Sequence, residues 1–174
     1  MAKNVKYHYF TEGETDKRLV DWLKTEKQLV KPGKSTVFNM FQKQITNSLL
    51  MRISDQTNVV VIFDTDLTNP NLELFLSNIK KLTKFRTVKS VILIPQCKNL
   101  EDEIVHCTSI KNITNFFPTE NVEKFKQKLL ASNDKFLSNK FEEKNFDFNK
   151  LWIRNPGGIY SKIQNESGLI KLKR

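Results

Sequence analysis

Short, dense apolar runs alternate with amphipathic stretches along the chain, and the spacing of the apolar positions indicates an element for each. Val5 to Thr11 (VKYHYFT) is rich in β-branched and aromatic residues and stops at Glu12-Gly13, which predicts a strand running into a turn. In the ETDKRLVDWLK that follows, Leu19, Val20 and Leu23 share a helical face, and acids occupy the first turn, where the helix dipole favours them. Lys31-Pro32-Gly33-Lys34-Ser35 reads as a loop by composition. Val37, Phe41, Ile45 and Leu49 then recur every fourth residue and predict a second helix over Val37 to Ile53. Asn58 to Phe63 (NVVVIF) is a continuous apolar run of strand length, as expected of a parallel strand covered on both faces, and it ends abruptly in Asp64-Thr65-Asp66. A helix over Asn71 to Leu82 and a second buried strand over Ser90 to Ile94, closed by Pro95, complete the alternation. Strands alternating with helices predict an α/β fold, a Rossmann-like parallel sheet flanked by helices, with functional groups collecting beyond the carboxyl ends of the strands.

Past about residue 115 the pattern changes to NVEKFKQKLL, an amphipathic helix, and then to Asn- and Lys-rich sequence. Residues 116–174 carry 12 basic and 7 acidic side chains against 17 and 12 in residues 1–115, so positive charge is denser in the second part. With 174 residues in all, a domain over 1–115 bearing a basic, mainly helical extension over 116–174 packed on it is the expected organisation. Phe116, Phe117, Phe146, Phe148 and Trp152 lie in this extension, where base stacking is conceivable but core packing is expected.

The 13 Phe and the 39% of hydrophobic residues exclude a disordered tail. No apolar stretch approaches the roughly 20 residues that span a bilayer, and MAKNVKYHYF lacks a signal core, so a soluble cytoplasmic protein without membrane contact is expected. Cys97 and Cys107 are too few and too far apart for a redox or zinc pair, and with only His8 and His106 an imidazole site is disfavoured. The net charge of +10 favours a polyanionic partner, DNA or RNA, although scattered lysines also form ordinary solvated surface. Lys80, Lys81, Lys84, Arg86 and Lys89 are such a cluster, a phosphate track or a solvated helix end.

The acids follow the strands. Glu12, Glu14 and Asp16 come after the first, Asp64 and Asp66 after the NVVVIF run, and Glu101, Asp102 and Glu103 soon after SVILI. Carboxylates converging on one sheet edge repel unless a divalent cation neutralises them, and oxygen ligands without His or Cys suit Mg²⁺ or Mn²⁺. For each acid alone, a helix cap or surface charge is the simpler account. Glu12 together with Asp64 and Asp66 points to chemistry.

YFTEGETDKRLVDWL resembles the first motif of the Toprim domain, and VVVIFDTD resembles its second, the DxD motif; the likeness covers residues 5 to 100. The family includes topoisomerases, bacterial primases, small nucleases that mature ribosomal RNA, and the overcoming-lysogenization-defect nucleases. What the resemblance implies is a Toprim-like sheet in which Glu12, Asp64 and Asp66 are catalytic and hold Mg²⁺ or Mn²⁺. It further implies that Asp16, one helical turn after Glu12, is a metal ligand, that Glu101 or Glu103 helps with a second metal, and that Lys34, in a PGKS loop like the glycine turn after the second Toprim strand, touches phosphate. Leu67-Thr68-Asn69 departs from the small residue usual after DxD. The chain has no room for the cleavage domain of a topoisomerase or the accessory domains of a primase. A metal-dependent nuclease is expected, active in phage defence or RNA processing and possessing, by resemblance alone, a separate ATPase partner. Two other readings compete: a non-catalytic Toprim-like nucleic-acid-binding module or subunit of an ATPase complex, and, less favoured, a haloacid-dehalogenase-like phosphatase using Asp64-Thr65-Asp66-Leu67-Thr68. VKPGKST lacks the first glycine of a phosphate-binding ATPase loop, since Gln28 stands there.

Overall fold

A computed structural model describes residues 5–172. Four parallel strands form one sheet in the order β2-β1-β3-β4: β1 (Lys6–Thr11), β2 (Lys34–Val37), β3 (Thr57–Phe63) and β4 (Val88–Pro95). Helix α1 (Glu14–Thr25) connects β1 to β2, and α3 (Leu72–Thr83) connects β3 to β4. A single turn, α2 (Asn47–Leu50), precedes β3, and α4 (Leu100–His106), α5 (Val122–Ala131) and α6 (Asp134–Glu143) follow β4.

Alternation along the strands divides the core in two. Tyr7, Tyr9, Val60, Ile62, Ile92 and Ile94 face one side, where α1, α4, α5 and α6 add Trp22, Ile104, Phe125 and Phe141. Phe10, Val59, Val61 and Phe63 face the other, covered by Phe75 and Leu82 of α3 and by Met40, Phe41 and Ile45. Every residue of β3 is buried, as a central parallel strand requires.

Residues 116–172 join this architecture rather than stand apart from it. Phe116, Phe117 and Trp152 are buried in the first core, and Phe146 and Phe148 pack against it from partly buried positions. Arg18 of α1 donates to Ser132 O (2.7 Å) and pairs with Asp134 (2.7 Å). Val30 bridges Lys171 in antiparallel fashion, and Glu166 seals the outer edge of β4 by exchanging hydrogen bonds with the Leu93 backbone (3.0 and 2.9 Å).

The helix expected over Val37 to Ile53 does not form. Thr36 and Val37 belong to β2, paired with Phe10 and Thr11, and only Asn47–Leu50 is helical. The buried Asn78 of α3 replaces the missing helical hydrogen bonds, accepting from Ile45 N (2.9 Å) and donating to the carbonyls of Met40 (2.9 Å) and Lys43 (2.8 Å). The every-fourth spacing of apolar residues is met by an irregular segment whose Phe41 and Ile45 dip into the core. The loop reading of Lys31–Ser35 is likewise corrected at its end, because Lys34 and Ser35 begin β2. Gly33 is there for packing: a Cβ at this position would lie 2.3 Å from Tyr7 O of the neighbouring strand.

Among the described residues no helix is long and apolar enough to cross a membrane.

Candidate active site

Parallel strands deliver their last residues to one edge. Thr11 pairs with Ile62 and Phe63 with Pro95, so Glu12, Asp64 and Gln96 emerge from β1, β3 and β4 at nearly the same level. Gly13 immediately precedes α1 as its N-cap, and a Cβ there would meet Asp16 Oδ2 at 3.2 Å, so a glycine after Glu12 leaves the Asp16 carboxylate its place.

The acids are held by amides. Glu12 accepts from Asn39 Nδ2 (2.6 Å) and from the backbone N–H of Asp64 (3.0 Å). Gln96 is fully buried, and its Nε2 donates to both Asp16 Oδ1 (2.6 Å) and Asp64 Oδ1 (3.0 Å). Its other amide atom, Oε1, receives the indole N–H of Trp152 at 3.4 Å, which fixes which end of the amide faces the acids. Asp66, exposed, accepts from Asn99 Nδ2 (2.7 Å), and Thr65 ties its loop to β4 by donating to Gln96 O (2.6 Å). Glu101 of α4 is buried beside Asp16, with Lys126 of α5 at 3.3 Å from its Oε1.

Electrostatics follow from this crowding. Burial first, and then the charges of Asp16, Glu12, Asp66 and Glu101, push the Asp64 carboxyl up to about 9. Burial raises Asp16 to about 6 against the opposing hydrogen bond from Gln96, with Glu101 and Glu12 adding to the rise. Glu12 is raised as well, mainly by burial, while its hydrogen bonds from Asp64 and Asn39 act the other way. Burial disfavours the Lys126 charge, yet Glu101, Asp16 and Asp64 together hold its pKa above the usual value.

Glu12, Asp16, Asp64, Asp66 and Glu101 thus gather at one edge, but Glu103 does not join them. Two residues on from Glu101 along α4, it turns inward, is fully buried, and accepts from the backbone N–H groups of Cys97 (2.8 Å) and Trp152 (3.2 Å) while pairing with Arg154 (3.1 Å). Its carboxylate braces the Trp152 backbone instead of facing the acids. The lysines are also elsewhere. Lys34 opens β2 opposite His8, near the amino ends of the strands. Lys80, Lys81 and Lys84 sit at the C-terminal end of α3, which returns the chain to that same amino edge, and Lys81 spends its ammonium on Ile45 O (2.6 Å). A strand of seven residues separates the two edges by roughly 20 Å.

Gln96, Lys126, Trp152 and Asn39 escape sequence reasoning as site residues. Gln96 alone had a signal, being the first polar residue after β4, in register with Asp64 after β3. Trp152 carries the clearest mark of a constrained position. Its φ is +55°, in the left-handed region that a bulky residue avoids, and it is held there by Glu103 at its N–H and by Asn165 (2.8 Å) and Ser167 (2.6 Å) at its carbonyl.

As placed, and among the described residues, no three His, Cys, Asp or Glu side chains converge tightly enough to grip a metal ion. The donor set is nonetheless all carboxylate and amide oxygen, and a positive charge is what would relieve the repulsion at Asp64. Compared with protein-family models, with curated proteins and with solved structures, the chain gives no match in any of the three.

Proposed function

We propose that the protein is a metal-dependent phosphodiesterase of Toprim type, hydrolysing DNA or RNA at the carboxyl edge of its sheet. The single observation that carries this reading is the crowding of a half-buried Asp64 by four other carboxylates, where partial burial and like charge push its carboxyl up to about 9. Such an arrangement opposes folding unless a ligand of opposite charge compensates it. Glu12, Asp64 and Asp66 are the residues that would hold Mg²⁺ or Mn²⁺, with Asp16 and Glu101 serving a second ion. Bound there, the cation supplies Lewis-acid polarisation of the phosphate and a lowered pKa for water.

The chain's own groups account for the rest. Glu12, with its pKa raised, is suited to exchange a proton with attacking water. Gln96 sets the spacing of Asp16 and Asp64. Lys126, next to Glu101, is the cation best placed to meet a phosphate at this edge, whereas Lys34, Lys80, Lys81 and Lys84 serve a substrate only if its backbone runs on to the far edge. The biological setting, phage defence or RNA processing with a separate ATPase, rests on the motif resemblance.

Purified protein and the Asp64→Ala, Asp66→Ala double variant should be incubated with labelled plasmid, single-stranded DNA, transfer RNA and ribosomal RNA in Mg²⁺, Mn²⁺ or EDTA. Cleavage of one class by wild type alone, abolished by EDTA, is the expected result. Intact substrates in every metal would sink the hydrolase reading and leave a nucleic-acid-binding module.

A further inference from the structure

Residues 152–167 form a strap that passes from one face of the sheet to the other and back. Trp152 lies in the core shared with α1 and α6, Tyr160 and Ile163 pack in the opposite core beside Phe41 and Phe63, and Ser167 returns to hydrogen-bond Trp152 O (2.6 Å). The strap thereby sets Tyr160 against Phe63, the residue directly before Asp64, in the core opposite that of Trp152.

Tyr160 is 3% exposed. Its ring stands edge-on to Phe41 (6.2 Å, 90°) and tilted on Phe63 (6.5 Å, 44°), the residue directly before Asp64. Packing of this kind explains the ring and leaves the hydroxyl unexplained, because the phenolic oxygen is buried and, among the described residues, has no hydrogen-bond partner. A phenylalanine would fill the same space without the cost of an unpaired polar atom. An ordinary phenol is neutral at physiological pH, so this hydroxyl is a neutral donor on the side of the sheet where Phe63 leads into Asp64.

An anionic phosphodiester entering this edge is repelled by the carboxylates. A neutral O–H attracts it without adding a charge, and a ring clamped by two phenylalanines holds that donor at little entropic cost. Added Cβ atoms at Gly157 and Gly158 would meet nothing within 4 Å, so the strap borders open space just before Tyr160, and its hydroxyl lies a short way behind that surface. We infer that Tyr160 is a substrate-contacting residue, whose hydroxyl donates a hydrogen bond to a non-bridging oxygen of the phosphodiester beside Glu12 and Asp64. It forms no covalent bond and transfers no proton. The inference rests on the phosphodiesterase reading above.

The test compares wild type with Tyr160→Phe in three measurements: thermal unfolding midpoint, cleavage kinetics in Mg²⁺, and anisotropy of fluorescein-labelled single-stranded DNA and RNA oligonucleotides in Ca²⁺. Loss of one hydrogen bond to a charged oxygen predicts a roughly tenfold to hundredfold fall in kcat/KM or in oligonucleotide affinity. The unfolding midpoint should hold or rise, since the variant discards only an unpaired buried hydroxyl. Equal kinetics and equal affinity overturn the role of Tyr160 while leaving the nuclease reading intact. A fall in activity matched by a fall in unfolding midpoint, or a covalent protein–nucleic acid adduct surviving detergent, also overturns it. Wild type that neither cleaves nor binds any of these probes removes both the reading and the inference.

Discussion

At the amino edge of the sheet, His8 is buried against the Phe10 ring (4.7 Å, stacked) with Nε2 2.8 Å from the Thr36 hydroxyl and with Lys24 and Lys34 as its charged neighbours. At the carboxyl edge, Asp64 is half-buried among Glu12, Asp16, Asp66 and Glu101. The same two forces, desolvation and like charge, neutralise both groups, His8 by losing its proton and Asp64 by keeping it. The difference lies in what is left over. The single bond to Thr36 and the stack on Phe10 account for a neutral His8, whereas the carboxyl edge retains more acids than its amide donors explain. One edge is packed as a support and the other is furnished as a site.

The comparison breaks most sharply at the supporting edge. Gly33→Ala would drive a methyl group into Tyr7 O and should cost about 3 kcal/mol or more in urea unfolding, with or without added metal. A substitution this damaging so far from the acids would identify the PGKS glycine as a packing residue; an unchanged midpoint would contradict the close approach.

Next comes the dependence on pH, which has opposite sign at the two edges. The folded pKa of Asp64 lies above its unfolded value, so its contribution is present below 3.8 and is lost as pH rises towards about 9. Asp16 adds to the same trend between 3.8 and about 6. Metal-free protein should therefore lose thermal stability from pH 4 to pH 9, and Asp64→Asn should flatten that slope while abolishing cleavage. Mn²⁺ added at pH 8 should stabilise wild type and leave Asp64→Asn nearly unmoved. A slope identical in the two proteins would mean that Asp64 ionises freely.

A smaller effect sharpens the role of the amide clamp. Trp152→Phe leaves Gln96 Oε1 without its indole donor and should cost about 1 kcal/mol, with a larger loss of activity because the amide is then free to turn. Gln96→Glu is the companion variant. It removes the donor shared by Asp16 and Asp64 and adds a further carboxylate, so metal-free protein should unfold at a lower temperature at pH 8 and regain stability in Mn²⁺.

The last test belongs to His8. Its folded pKa, about 4, lies below the unfolded 6.5, so its contribution is present above 6.5 and is lost as pH falls towards 4. Ring-proton shifts should report a midpoint near 4; a value near 6.5 would place the imidazole in solvent.

The fold was legible where one force dominates. β1, β3 and β4 are apolar enough to be strands in any setting, and α1, α3 and α5 carry clean amphipathic faces. β2 was not legible, since KSTV holds only four residues at a half-buried edge, and the spacing of Phe41 and Ile45 imitates a helix that Asn78 holds open from another element. For the site, Glu12, Asp64 and Asp66 follow buried strands directly, so sequence order alone sets them at one edge. Choosing between Glu101 and Glu103 needs the rotation of α4 about its axis, which residue type does not disclose. Lys126, Trp152 and Tyr160 come from far along the chain and reach the acids only through tertiary packing.

That late contribution governs when the protein becomes itself during synthesis. The acids are made first, and the indole that orients Gln96 and the Lys171 bridge partner of Val30 follow well after them. A nascent chain halted after α4 would carry the full set of carboxylates with its clamp unset, so completion of the edge waits for residue 152 to be made and packed.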